Sequence, residues 1–323
     1  MRRIVLTLVV LLIAGLAAAT ALFVHGWSRP GPLESDITLV VPEGATLRST
    51  ADALEEQGAI GSATAFLARA RLLGGDGSIK AGEYRIPRRA SSSGILDILQ
   101  SGRTIVHLIT IPEGMPSILV HERLMANEEL TGDIPVPEEG SVMPDSYGYQ
   151  KGETRAAVLG RMQAAMREFI AEQWPRRSQS TPVKTPQEAI TLASIVEKET
   201  SIPAERPTVA GVYANRLRKG MMLQADPTII YPITKGKPLG RRIRQSEIRA
   251  VNDYNTYAMA GLPRGPIANP GRSSIEAVLR PAATKARYFV ADGKGGHIFA
   301  ETLAEHNENV RKWYDIRRQR GEM

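Results

Sequence analysis

After Arg2 and Arg3 the chain runs through "IVLTLVVLLIAGLAAATALFV", Ile4 to Val24, and meets no Asp, Glu, Lys or Arg until Arg29. At 1.5 Å per residue this run reaches about 30 Å, the hydrocarbon thickness of a bilayer. A cleaved signal peptide is the alternative, because Ala17, Ala18 and Ala19 offer small residues to a peptidase. The apolar core of a signal is shorter, about 7 to 15 residues, so residues 4–24 read as an uncleaved single-pass anchor in the inner membrane. The positive-inside rule keeps residues 1–3 as a cytoplasmic tail and puts the rest outside the cytoplasm, with Trp27 near the interface. A cytoplasmic metabolite or nucleotide is then not the expected substrate.

The 323 residues suffice for two or more domains, and 42% hydrophobic residues can fill their cores. Lys and Arg number 41 against 34 Asp and Glu, a formal net charge of +7. That balance suits a chain working beside an anionic membrane surface or an acidic polymer. Nucleic acid would satisfy the charge as well, yet aromatics are only 5% and no zinc or basic-zipper pattern is present, so no nucleic-acid partner is expected. With no cysteine, disulfide scaffolds, thiolate nucleophiles and thiolate metal sites are excluded.

Residues 25–38, "HGWSRPGPLESDIT", read as a juxtamembrane linker. A strand, a turn at Pro42 to Gly44 and a helix carrying Leu47, Ala51 and Leu54 follow, then a short helix over 66–73. "IKAGEYRIP" alternates as a strand, and "SSSGILDILQSG" is a serine-capped helix closed by Gly102. "VHLITIPEGMPSILVHERLMAN" repeats strand, Pro-Glu-Gly turn and helix. From residue 145 the character changes: "PDSYGYQKGET" reads as a loop and 156–174 as a helix. Thr185, Pro186 and Glu188 then give a capping-box start to a helix that runs to about Thr200, where Pro203 stops it.

That helix ends in "ASIVEKET", with Glu197 and Glu199 two residues apart and ~200° around the axis from one another, so they cannot serve one site. Glu199 stands over Ile195, Val196 and Leu192; Glu197 stands over Ala193 and Ser194. Glu199 is therefore the carboxyl set against bulky apolar side chains. Desolvation and the negative end of the helix dipole both raise its pKa, as a general acid requires. The plain alternative is a solvated helix end, which describes most glutamates. Downstream, "VAGVYANRLRKG" is a helix, and an extended polar stretch carries Gln224, Asp226, Thr228 and Tyr231. A turn-rich loop follows with Tyr254, Asn255, Thr256 and Tyr257. Tyrosines and amides grouped on loops suit a sugar, whose faces stack on rings and whose hydroxyls pair with amides.

The stretches "ASIVEKET", "NRLRKGMMLQADPTIIY", "YNTYAMAGLPRGPIANPG" and "YFVADGKGGHIFAETLAEHN" resemble the YceG-like family of endolytic murein transglycosylases, over nearly the whole chain. "EEGSVMPDSYGY" keeps the family's Glu-Gly and Pro-Asp-Ser/Thr-Tyr spacing, with Ser141, Val142 and Met143 where bulkier residues are usual. The fold the resemblance implies is α+β: the transmembrane helix, a LysM-like wall-binding region of small α/β subdomains over residues 39–144, and a mixed α+β catalytic domain over residues 145–318.

The activity implied is a membrane-anchored lyase cutting the bond between N-acetylmuramic acid and N-acetylglucosamine in nascent glycan strands, leaving 1,6-anhydro ends. Glu199, matching a Glu-Ser type signature through Glu199-Thr200, is the implied catalytic residue. Glu197 is a supporting partner or a structural ion pair. Gln224, Asp226, Thr228, Tyr254, Asn255, Thr256 and Tyr257 are the proposed cleft residues. Asp226 opposite Glu199 would instead make a two-carboxylate hydrolase, and a non-catalytic wall-binding scaffold is the further alternative. His297 reads as a structural histidine at a strand start. No cofactor or metal is implied, and peptidoglycan strands, with peptidoglycan synthases or penicillin-binding proteins, are the implied partners.

Overall fold

The computed structural model describes residues 2–75 and 77–321. The chain forms two units: one holds it up to His107 together with Gly148–Lys151, the other holds Leu108–Tyr147 and all that follows Gly152. Both mix helices with short two-stranded sheets.

The first unit opens with α1 (Arg2–Ser28), long and apolar enough to cross a membrane, its side chains from Ile4 to Leu22 bare. Then come β1 (Ile37–Val41), α2 (Leu47–Glu56), α3 (Ala63–Leu73), β2 (Gly82–Ile86) and α4 (Ser92–Ser101). β1 and β2 pair antiparallel with Leu39 opposite Tyr84, and their alternation buries Leu39, Val41, Tyr84 and Ile86 on one face. Leu54, Phe66, Ile95 and Leu99 from the helices complete this core. Thr46, Ser62 and Ser91 each accept the backbone N–H three residues on, which fixes where the three helices begin.

Residues 25–38 are not a free linker, and Trp27 at the end of α1 packs into the first unit's core. Trp27 is 8% exposed, its ring 5.7 Å from that of Phe66, and Leu33 is buried in the same core. Arg69 on α3 donates from Nε to the Phe23 carbonyl at 3.2 Å, and a Cβ at Gly26 would run into that guanidinium. Asp36 accepts the Arg88 N–H at 2.8 Å and the Arg85 side chain. Polar and turn-forming composition suggested a tether, but the segment's few large apolar residues find a core.

Strands β3 (His107–Thr110) and β4 (Ser146–Tyr149) lie where the chain passes between the units. The second unit continues with α5 (Ser117–Met125), α6 (Arg155–Gln173), α7 (Pro186–Glu199), α8 (Arg206–Arg218), α9 (Pro227–Thr234), α10 (Gln245–Ile248) and α11 (Arg272–Leu279). A hairpin of β5 (Tyr288–Ala291) and β6 (His297–Ala300) and the helix α12 (Leu303–Gln319) end it. Its core is built around α7, in which every residue from Ala189 to Val196 is buried, against α8, α9 and α11. Thr185 accepts the Glu188 N–H, while the Glu188 carboxylate accepts the N–H of Lys184 rather than that of Thr185, a capping box displaced by one residue.

Two local expectations are corrected. The stretch after residue 145 contains strand β4, and the polar stretch expected to be extended becomes helical from Pro227. Proline is well placed at a first helical position, where its missing N–H has no intrahelical partner to lose. The β-branched residues after it and Pro232 concealed the helix. Residues 108–144, which the sequence groups with the wall-binding region, pack within the second unit.

Candidate active site

Glu199 is the last residue of α7, and Thr200 after it turns to extended backbone. Leu192, Ile195 and Val196, the residues it stands over, are fully buried. Its Oε1 is buried and has no hydrogen-bond partner among the described residues. Burial pushes the carboxyl up to about 7; the Tyr213 hydroxyl draws it down, the Asp226 carboxylate raises it and Arg216 lowers it. Near neutral pH the group can therefore both hold and release a proton.

Tyr213 and Arg216 lie three apart on α8 and so share a face. Burial and then the charge of Glu199 keep the Tyr213 hydroxyl protonated well past its usual range, leaving it a donor. Arg216 is taken up by backbone carbonyls: Nε donates to Arg287 at 2.7 Å and Nη1 to Leu223 at 2.6 Å. It thereby ties α8 to β5 and to the chain entering α9. Neither residue belonged to the cleft set read from the sequence, although their spacing on the helix after Glu199 is the signal that could have placed them there.

Of the expected cleft residues, Asp226 and Tyr257 join the surroundings of Glu199. The Tyr257 hydroxyl donates to Asp226 Oδ1 at 2.6 Å, and Asp226 itself is exposed. Gln224 is exposed too, in the left-handed region at φ 52°, where its N–H reaches the Thr256 carbonyl. Tyr254 is half-buried and packs on Tyr231 at 4.8 Å. Thr228, Asn255 and Thr256 are 0% exposed and satisfied by the protein. Asn255 Nδ2 donates to the carbonyls of Glu247, Ile248 and Ala250, closing the end of α10. Thr256 Oγ1 accepts the Ala225 N–H at 3.0 Å and lies 2.8 Å from Thr228 Oγ1. These three hold the walls in place rather than facing a sugar. Thr256→Val is expected to cost about 1–3 kcal/mol by leaving the Ala225 N–H buried and unpaired, read as a lower urea midpoint.

Glu197 points elsewhere, as the helical spacing requires. Its side chain is 4% exposed; Oε1 accepts Arg206 Nη2 and Oε2 accepts the Gly271 N–H, both at 2.9 Å. Arg206 Nη2 also reaches Glu113 Oε2 at 2.9 Å. A Cβ at Gly271 would run into the Glu113 carboxylate and push that side chain out of its place beside Arg206. This cluster ties the end of α7 to the second Pro-Glu-Gly turn and to the start of α11. His297 begins β6 with Nδ1 2.8 Å from Glu205 Oε2, an oxygen that also accepts the Thr200 hydroxyl.

A further acid, Glu139, escaped the sequence reading. Burial raises its pKa against hydrogen bonds from Ser117, whose N–H it accepts at 2.9 Å. Its place in "EEGSVMPDSYGY" was the available sign. A cavity of about 490 Å³ opens nearby, bounded by Pro112, Met115, Leu119, Ile230 and Lys198 among others; Glu199 does not line it. Among the described residues no group of three or more His, Asp or Glu is placed to hold a metal ion.

A carboxyl kept part-protonated near neutrality, beside a neutral phenol and an exposed carboxylate, has the features of a general acid and base. The sequence profile of the YceG-like family matches residues 39–312, and the chain belongs to that family. A protein of Bacillus subtilis (strain 168) named endolytic murein transglycosylase is 28% identical over 327 residues, covering 90% of this chain and 89% of its own length. One of the same name from Streptococcus pneumoniae serotype 2 is 27% identical over 324 residues, covering 85% of this chain, which spans 58% of that protein. The crystal structure of a YceG-like protein from Listeria monocytogenes superposes with a TM-score of 0.52 at 26% identity, covering 85% of this chain and 99% of that one.

Proposed function

We propose that this chain is an endolytic peptidoglycan lytic transglycosylase, anchored in the inner membrane by α1, with both folded units outside the cytoplasm. The observation that carries the reading is the Glu199 carboxyl, buried at the end of α7 with its pKa near 7, in a chain of the YceG-like family.

Protonated Glu199 donates its proton to the glycosidic oxygen between N-acetylmuramic acid and N-acetylglucosamine, and the bond from that oxygen to the anomeric carbon breaks. The muramic acid C6 hydroxyl adds to the anomeric carbon and gives its proton to the Glu199 carboxylate, which is thereby restored. No water is consumed, and the product is a 1,6-anhydro end. Because the nucleophile belongs to the substrate, intramolecularity supplies up to about 7–11 kcal/mol of what a second carboxylate would otherwise provide. Tyr213 supports the ionised state of Glu199 between the two proton transfers, and the exposed Gln224 and Asp226, with the half-buried Tyr257, meet the sugar. The antiparallel β1 and β2, with α2 and α3 between them in sequence, support a LysM-like wall-binding role for the first unit. The net positive charge suits an acidic wall polymer, and enzymes that polymerise or cross-link the strands are the expected protein partners.

The second reading is a hydrolase in which Asp226, exposed and oriented by Tyr257, activates water. Digestion of purified sacculi by the detergent-solubilised protein, with mass analysis of the products, separates the two. Ends lighter by one water than reducing ends are expected. Reducing ends would assign hydrolysis, and undigested sacculi would leave a wall-binding scaffold.

A further inference from the structure

The last turn of α7 sends three successive side chains in three directions. Glu199 turns toward Tyr213, Glu197 is tied to Arg206 and Gly271, and Lys198, about 100° from each, enters the lining of the cavity. At about 490 Å³ the cavity falls within the range of small-molecule sites, about 300–1,000 Å³. Its walls are apolar, with Pro112, Met115, Pro116, Leu119, Ile230 and Ile267 supplying most of them.

The charges around it are unevenly matched. Arg206 is shared between Glu113 and Glu197, and Lys237 is paired with Glu122. Lys198 is exposed and forms no ion pair among the described residues; its Nζ lies 3.4 Å from the Gly114 carbonyl. The result is an apolar hollow with one lysine at its edge whose ammonium touches no carboxylate among the described residues. Its complement is a small aliphatic group bearing a carboxylate. Helix α9 relates this hollow to the candidate active site, because Asp226 at its start is among the charges acting on Glu199 while Pro227 and Ile230 line the cavity.

A peptidoglycan strand presents such a group next to the bond to be cut, since muramic acid carries through its lactyl ether a short peptide of small residues with free carboxylates. We propose that this cavity binds the stem peptide of the muramic acid at the cleaved bond, with Lys198 pairing to a stem carboxylate, an inference that rests on the transglycosylase reading above. The cavity would then set which muramic residue is addressed, and strands stripped of peptide would be poor substrates.

The test compares kcat/KM of the full-length, detergent-solubilised protein on strands bearing stem peptides and on the same strands after an amidase has removed them. The parent protein is expected to favour the peptide-bearing strands. Lys198→Glu should cut that preference about tenfold and Lys198→Met about threefold, through KM more than kcat. Leu119→Trp, which fills the cavity without altering charge, should weaken the preference as well. If Lys198→Glu and Leu119→Trp both keep the parental preference, or lose activity equally on the two substrates, the stem-peptide assignment is overturned and the proposed function stands. A parent protein that cleaves neither substrate removes the proposed function, and the assignment with it.

Discussion

Glu199→Gln is expected to lower the rate of sacculus digestion by about 10²–10⁴-fold, the usual contribution of a positioned acid and base. The same substitution should make the protein more stable above neutral pH. The pKa of Glu199 rises from 4.5 to about 7 on folding, chiefly because the carboxyl is withdrawn from water. Between those values the folded chain keeps a proton that the unfolded chain has lost. Stability is therefore greatest below the unfolded pKa and falls as pH rises through the folded one. The loss is about 2–3 kcal/mol by pH 8, and glutamine, which does not titrate, avoids it. Urea unfolding of parent and variant at pH 5 and pH 8 reads this directly: the variant should gain on the parent between the two. In the parent, digestion should weaken above about pH 7 as the donor ionises. Parental digestion by the glutamine variant would mean that position 199 is not the acid.

Arg206→Met is expected to destabilise the second unit by about 3–5 kcal/mol, because it leaves Glu197 buried with its charge uncompensated. The Gly271 N–H would remain as the carboxylate's partner, and one N–H does not replace a guanidinium. Chemical denaturation measures the loss. A second substitution, Glu197→Gln, made together with Arg206→Met, should recover part of it, since the buried negative charge is then gone. If the double variant were no more stable than Arg206→Met alone, the destabilisation would have come from lost packing of the arginine stem. Glycan cleavage should fall in Arg206→Met even where the protein remains folded, because the cluster fixes the turn of α7 that carries Glu199.

The sequence discloses α1 through uninterrupted apolar composition, and α7 through Thr185, Pro186 and a stop at Pro203, since both signals are local. It also separates Glu199 from Glu197, because helical phase alone decides which carboxyl meets Leu192 and Ile195. What it conceals depends on partners distant along the chain. Nothing in the type of Thr228, Asn255 or Thr256 tells whether a hydroxyl or amide faces a sugar or a backbone group; Thr256 finds Ala225 and Thr228 across a loop, and all are buried. Glu139 looks like any surface acid until Ser117 and Asn269 close over it. Helix α9 was hidden for a different reason, since residues that favour strands locally were overruled by Pro227 at its start and by burial of Thr228, Ile229 and Tyr231 against the core.

Trp27 and Leu33 in the core, and Arg69 gripping the Phe23 carbonyl, make α1 a mast stepped into the first unit rather than a leash. In a bilayer, a helix that leans to match a thinner or thicker hydrocarbon layer would carry that unit over with it. The height and pitch at which the unit meets its surroundings are then properties of the membrane as much as of the protein.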